Sequence, residues 1–164
     1  MRLLRHIVFR DTAVIILALL IGIIAGLRTM MAPVVIAWAV AFGKMSLEHT
    51  WLAFIGWRFT GWIFSLLAIG ELVTDQLPST PSRKVPVQFG ARLLTGGASG
   101  AAIGYGLGSP LLGLALGIGG AVIGTLGGAA ARARLSAAFG SDRPAALIED
   151  AIAIAGALLV FAEL

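Results

Sequence analysis

Three features of the sequence predict an all-α, polytopic transmembrane helix bundle: charge is scarce, the apolar runs are continuous, and glycine recurs every fourth residue over much of the second half. Of 164 residues, 59% are hydrophobic and 12% are charged, about half the charge of a typical soluble domain; mean hydropathy is +0.98. In lipid only helices and closed barrels satisfy their own backbone. Barrel strands need alternating segments of about ten residues, whereas the runs here are unbroken and rich in Ala, Leu, Ile and Gly, so helices are predicted.

Apolar segments fall at about 12–27, 30–43, 51–73, 89–107, 110–131 and 144–163. The start, Met1 to Arg10, has the basic flank of a signal sequence, but the following apolar stretch is long and reaches Gly26-Leu-Arg-Thr29 without a small-x-small cleavage site; a retained signal anchor is expected. The piece 30–43 reaches only about 21 Å, against a hydrocarbon core of about 30 Å, which suggests a half-helix or re-entrant segment. If 12–43 makes one net crossing, then Arg2, Arg5, Arg10, Arg83, Lys84, Arg132, Arg134 and Arg143 all face the cytoplasm, as the positive-inside rule prefers. This expectation gives five net crossings with a broken first element. The N-terminus and the 75–88 and 132–143 loops are then inside, and the 44–50 loop and Leu164 outside.

Local punctuation supports these boundaries. Ser141-Asp142-Arg143-Pro144 places a capping residue just ahead of a first-turn proline. Gly108-Ser109-Pro110 is a tight-turn signal, making 89–131 an antiparallel hairpin. Trp51, with Trp57 and Trp62, suits an interfacial belt. Asp75 to Pro86 is the longest polar stretch and holds three of the six prolines, which deny it a regular helix; residues 75–88 are read as a cap or docking loop. The chain, 1–164, is one membrane domain.

Several function classes are excluded. The net charge of +4 comes from twelve Lys and Arg scattered at segment ends, not from the single basic stripe of a nucleic-acid binder. There is no cysteine, and the two histidines, His6 and His49, lie far apart. No metal site or cofactor is expected, and without a P-loop, nucleophile elbow or histidine metal motif no catalytic residue is assigned.

Gly96, Gly100, Gly104 and Gly108 recur every fourth residue; Gly113 with Gly117, then Gly120, Gly124 and Gly128, continue the spacing in the next segment. Such stripes let helix backbones approach closely where apolar burial supplies no attraction between helices. A glycine-lined pore or ligand groove is the alternative. The partner helix is either the neighbour in the hairpin or one in a second copy of the chain.

Acids in apolar surroundings are costly and should point to a partner or to water. Glu71 and Asp75 share a helical face, and Glu149-Asp150 interrupts the last apolar segment. Their available partners are Arg28, Arg58 and Arg92. Arg28 sits in Gly26-Leu-Arg-Thr-Met-Met-Ala-Pro33, where Gly, Thr and Pro interrupt an apolar run in the manner of a discontinuous helix. The leading expectation is a transporter-like or channel-like protein with a site for an ion or small solute formed by Arg28, Thr29, Glu71, Asp75, Glu149 and Asp150. The plainer readings are a simple extracellular turn at 26–33 between two short crossings, and acids at the membrane edge that are hydrated or paired with loop Arg. A second expectation is lipid-phosphate binding by Arg83, Lys84 and Arg92, beside Ser82. A third is a non-catalytic assembly subunit docking through its glycine faces.

The stretches Gly26-Leu-Arg-Thr-Met-Met-Ala-Pro33, Trp51-Leu-Ala-Phe54, Gly70-Glu-Leu-Val-Thr-Asp-Gln-Leu-Pro-Ser-Thr-Pro-Ser-Arg83 and Glu149-Asp150-Ala-Ile-Ala153 resemble those of an uncharacterised bacterial membrane-protein family, a domain of unknown function. The resemblance spans nearly the whole chain and implies a small bacterial inner-membrane protein. It implies no activity.

Overall fold

Apolar runs bounded by Gly, Pro and short polar turns become helices in the computed structural model, which describes residues 2–75 and 85–164, with α1 side chains described from Thr12 onward. The elements are α1 (Arg2–Leu27), α2 (Met31–Ala41), a 3₁₀ turn (Ala53–Gly56), α3 (Thr60–Thr74), α4 (Pro86–Leu107), α5 (Pro110–Phe139) and α6 (Asp142–Glu163). There is no strand among the described residues. Two helices, α5 with 30 residues and α6 with 22, are long and apolar enough to cross a membrane. The stretch Thr12–Leu27 of α1, together with α2 and α3, is apolar but shorter.

Two boundaries differ from those read in the sequence. The segment 51–73 is not one helix: α3 begins only at Thr60, after the 3₁₀ turn and an extended Trp57. Helix α5 runs eight residues past 131, to Phe139, because Ala-Arg-Ala-Arg-Leu-Ser-Ala-Ala contains good helix formers and no breaker before Gly140. Gly140 ends it in the left-handed conformation, φ 65°, which glycine adopts without a Cβ clash. Ser141 occupies the N-cap position of α6 in an extended conformation but makes no side-chain capping bond.

At the centre lie α1, α4 and α5, in contact through glycine. A Cβ on Gly96 would come within 2.9 Å of the Gly117 carbonyl oxygen, and one on Gly100 within 2.9 Å of the Gly117 Cα. Gly104 abuts Ser109 and Pro110 at the turn. On its other side α5 meets α1: Gly120 and Gly124 lie against the backbone of Leu19 to Gly26, and a Cβ on Gly26 would be 2.7 Å from the Gly124 Cα. Gly117 serves both neighbours, facing Gly96 and Gly22. The stripes on α4 and α5 are thus taken up inside the chain, and α1 supplies Gly22 and Gly26 as further partners. Gly108 is not part of the stripe; it follows α4 as a left-handed cap, φ 84°. Gly128 lines a small cavity of about 80 Å³ beside Leu27, Arg132 and Glu149.

The contacts also fix helix direction. Helix α1 runs parallel to α5, since Gly22 faces Gly117 and Gly26 faces Ala121 and Thr125. Helix α2 then turns back. Asp150 of α6 pairs with Arg28, Gly156 meets Ile24, and Phe161 meets Phe42 beyond the end of α2. Met45 lies beside Gly106, near the α4–α5 turn. Residues 12–43 therefore form a hairpin whose two ends lie at the same end of the bundle, in place of the expected single net passage. The reason is the sharp break at Arg28-Thr29-Met30, whose backbone groups are held by side chains from α3 and α4.

Candidate functional site at the helix break

A helix that ends inside a bundle leaves carbonyls without partners, and one that begins there leaves N–H groups. Both deficits occur within a few residues here. The Gly26 and Leu27 carbonyls at the end of α1 accept from Arg92 Nη1 at 2.6 and 2.8 Å, and Gly26 O also accepts from Thr125 Oγ1 at 3.3 Å. The Thr29 and Met30 N–H groups at the start of α2 donate to the two oxygens of Glu71, at 2.7 and 2.9 Å. A cation thus meets the negative end of one helix dipole and an anion the positive end of the next. Arg92 Nη2 lies 3.7 Å from Glu71 Oε1, which joins the two caps.

Arg28 lies between the two helices with no exposed surface. Its Nη1 pairs with Asp75 at the end of α3, and its Nη2 pairs with Asp150 of α6. Glu71 and Asp75, one turn apart, both reach the break. Glu149 and Asp150 are adjacent, so they point about 100° apart around α6 and serve different partners: Asp150 meets Arg28, while Glu149 lies 3.4 Å from Arg132 Nη1. Arg132 also holds Asp142 at 2.6 and 3.0 Å and lies 3.4 Å from the Asp75 carbonyl.

The structure therefore brings Arg28, Thr29, Glu71, Asp75 and Asp150 into one cluster, Thr29 contributing its backbone N–H, with Glu149 joined through Arg132. Arg58 lies apart, stacked 4.5 Å from the Phe59 ring. Arg92, expected in one reading to contact a lipid phosphate, is 2% exposed and bonded to α1 carbonyls. Arg83 and Lys84 lie outside the described residues. Arg132, in the sequence a topological charge, pairs with Glu149 as the plainer reading of acids paired with loop Arg expects. Its role depends on the continuation of α5, and the helix-forming composition of 132–139 is the signal that would have found it. The function of Arg92 as a cap for another helix had no signal in local sequence, because it rests on a contact 66 residues away.

Among the described residues no group of three or more His, Cys, Asp or Glu side chains is arranged to hold a metal ion. The chemistry available is ion pairing: a buried guanidinium shared by carboxylates on two other helices can be displaced by a proton or a cation that competes for those carboxylates.

No protein-family model, curated protein or solved structure matches this chain.

Proposed function

We propose that this is a small multi-pass membrane protein of transporter-like or channel-like type, in which a proton or small cation competes with Arg28 for Asp75 and Asp150. The observation that carries the reading is that buried cation, placed at a break between two helices and paired with acids from two further helices. Broken helices flanked by intramembrane charge are typical of solute sites in transporters. Glu71 already occupies the N-terminal end of α2, the place where an anionic solute would bind, so a cationic species is favoured. Protonating or binding cation at Asp75 or Asp150 would weaken the tie from the break to α3 or α6 and let the α1–α2 hairpin move.

In this reading the bilayer is that of the bacterial inner membrane, in keeping with the family resemblance. All six apolar elements enter it, and the hairpin direction of α1 and α2 makes the number of passages even. Single cysteines at Ser46 and Leu164 should then label from one side and a cysteine at Gly140 from the other. An N-terminus in the cytoplasm would put Arg134 and Arg143 outside, so labelling also orients the protein. The assembly-subunit reading loses its motivation, because the glycine faces meant for a partner are buried within the chain.

The functional test is flux in proteoliposomes under imposed proton and cation gradients. Flux by the parent protein, reduced at least about tenfold in Asp75→Asn or Asp150→Asn, as expected when an intramembrane carboxylate carries the coupling ion, is the predicted result. Absence of flux across the panel, with the variants altering only melting temperature, would leave the cluster as a structural clamp.

A further inference from the structure

We infer that the cleft between α2 and α6 binds one anionic phospholipid, with an acyl chain in the cleft and the phosphate held by Lys44 and Arg58 at its mouth. The cleft has a volume of about 300 Å³ and an entirely apolar lining that includes Val34, Trp38, Phe42, Ile154, Leu158 and Phe161. Ala157, a small residue among these larger side chains, also lines it. The cleft follows the short helix α2 toward the end of the bundle that carries residue 44.

The mouth is where charge enters. Phe42 and Phe161 meet there edge to face at 6.0 Å, and Lys44 Nζ stands 5.0 Å from the centre of the Phe161 ring. Lys44 also lines a second, open cavity of about 1170 Å³ between the end of α2 and residues 53–58, into which Arg58 faces. Glu48 is the carboxylate in that lining. Among the described residues neither Lys44 nor Arg58 forms an ion pair, in contrast with Arg28, Arg92 and Arg132. An apolar slot opening beside two cations complements a lipid with a negative headgroup. This inference stands apart from the transport reading and uses none of its residues.

Trp38 lines the cleft and reports occupancy. Replacing Trp51, Trp57 and Trp62 by Phe leaves it as the sole tryptophan. The protein is reconstituted in phosphatidylcholine vesicles containing increasing mole fractions of dibrominated phosphatidylglycerol or dibrominated phosphatidylcholine, and quenching is measured. Half-maximal quenching should need less of the anionic lipid, by about fivefold for each cation engaged. That preference should vanish in Lys44→Gln/Arg58→Gln, a surface change that leaves the buried packing intact. Equal quenching by the two lipids, or a preference that survives the double substitution, would overturn the inference. So would a Trp38 that neither lipid quenches while Leu158→Cys forms disulfides between copies, which would identify a second chain as the occupant.

Discussion

The α1–α4–α5 layer and the Arg28 break solve the same problem by opposite means. In the bilayer setting proposed above, apolar burial supplies no attraction between helices, so it must come from close packing or from polar contacts. In the layer, Gly22, Gly96, Gly100, Gly113, Gly117, Gly120 and Gly124 remove every side chain that would hold the backbones apart, and many weak dispersion contacts accumulate. At the break, a few strong contacts hold α2, α3 and α6 to the end of α1: Arg28 to two acids, Glu71 to two N–H groups, Arg92 to two carbonyls. The layer is held by packing of uncharged groups, and the break is held by ion pairs. A glycine-packed slab beside a charge-linked joint gives the bundle two kinds of contact, one steric and one electrostatic.

Substitutions can break this comparison or sharpen it, and the largest effect is expected at the joint. Arg28→Met leaves Asp75 and Asp150 without their buried cation and should destabilise the fold by about 3–5 kcal/mol, the usual result of removing one partner from a buried pair. Adding Asp75→Asn and Asp150→Asn should recover most of that loss in thermal unfolding in detergent, since neutral replacement of a whole buried cluster is often tolerated. In the slab, the side chain of Gly117→Val meets α4 backbone at Gly96 and Gly100 and should cost about 3 kcal/mol, the upper end of ordinary overpacking. Glu71→Gln keeps an acceptor for one of the two N–H groups but removes the charge at the start of α2; a loss of about 1–2 kcal/mol is expected. Smallest is Gly127→Ala, where an added Cβ meets nothing within 4 Å. It should be neutral or stabilise by up to about 1 kcal/mol, because alanine is the better helix former.

Much of the slab was legible in the sequence because its signal is local. The four-residue glycine spacing and the Gly108-Ser109-Pro110 turn already define an α4–α5 hairpin. That α1 joins it through Gly22 and Gly26 was not read, since two glycines one turn apart in an apolar run are a weak pattern. The break was also local in origin, marked by Gly26, Arg28, Thr29 and Pro33, and the acids stood out by their cost in apolar surroundings. The pairing of those groups is long-range and left less trace. Nothing near Arg92 shows that it caps a helix ending 65 residues earlier, and nothing near Asp150 separates its partner from that of Glu149 beyond their angular offset. Over 12–43 the contacts match the plainer sequence reading, a turn between two short helices, and not the single passage that charge counting favours by gathering all basic residues on one face. The caps from α3 and α4 let α2 turn back and divide those residues between the two ends.

Arg28 as the buried tie between the hairpin and its neighbouring helices is most directly tested by double-mutant cycles of Arg28→Met with Asp75→Asn and with Asp150→Asn, read by unfolding in detergent. The account predicts coupling energies of about 1–3 kcal/mol in both cycles, the range for residues in one network. Additivity to within about 0.5 kcal/mol in both, as for independent sites, would contradict it.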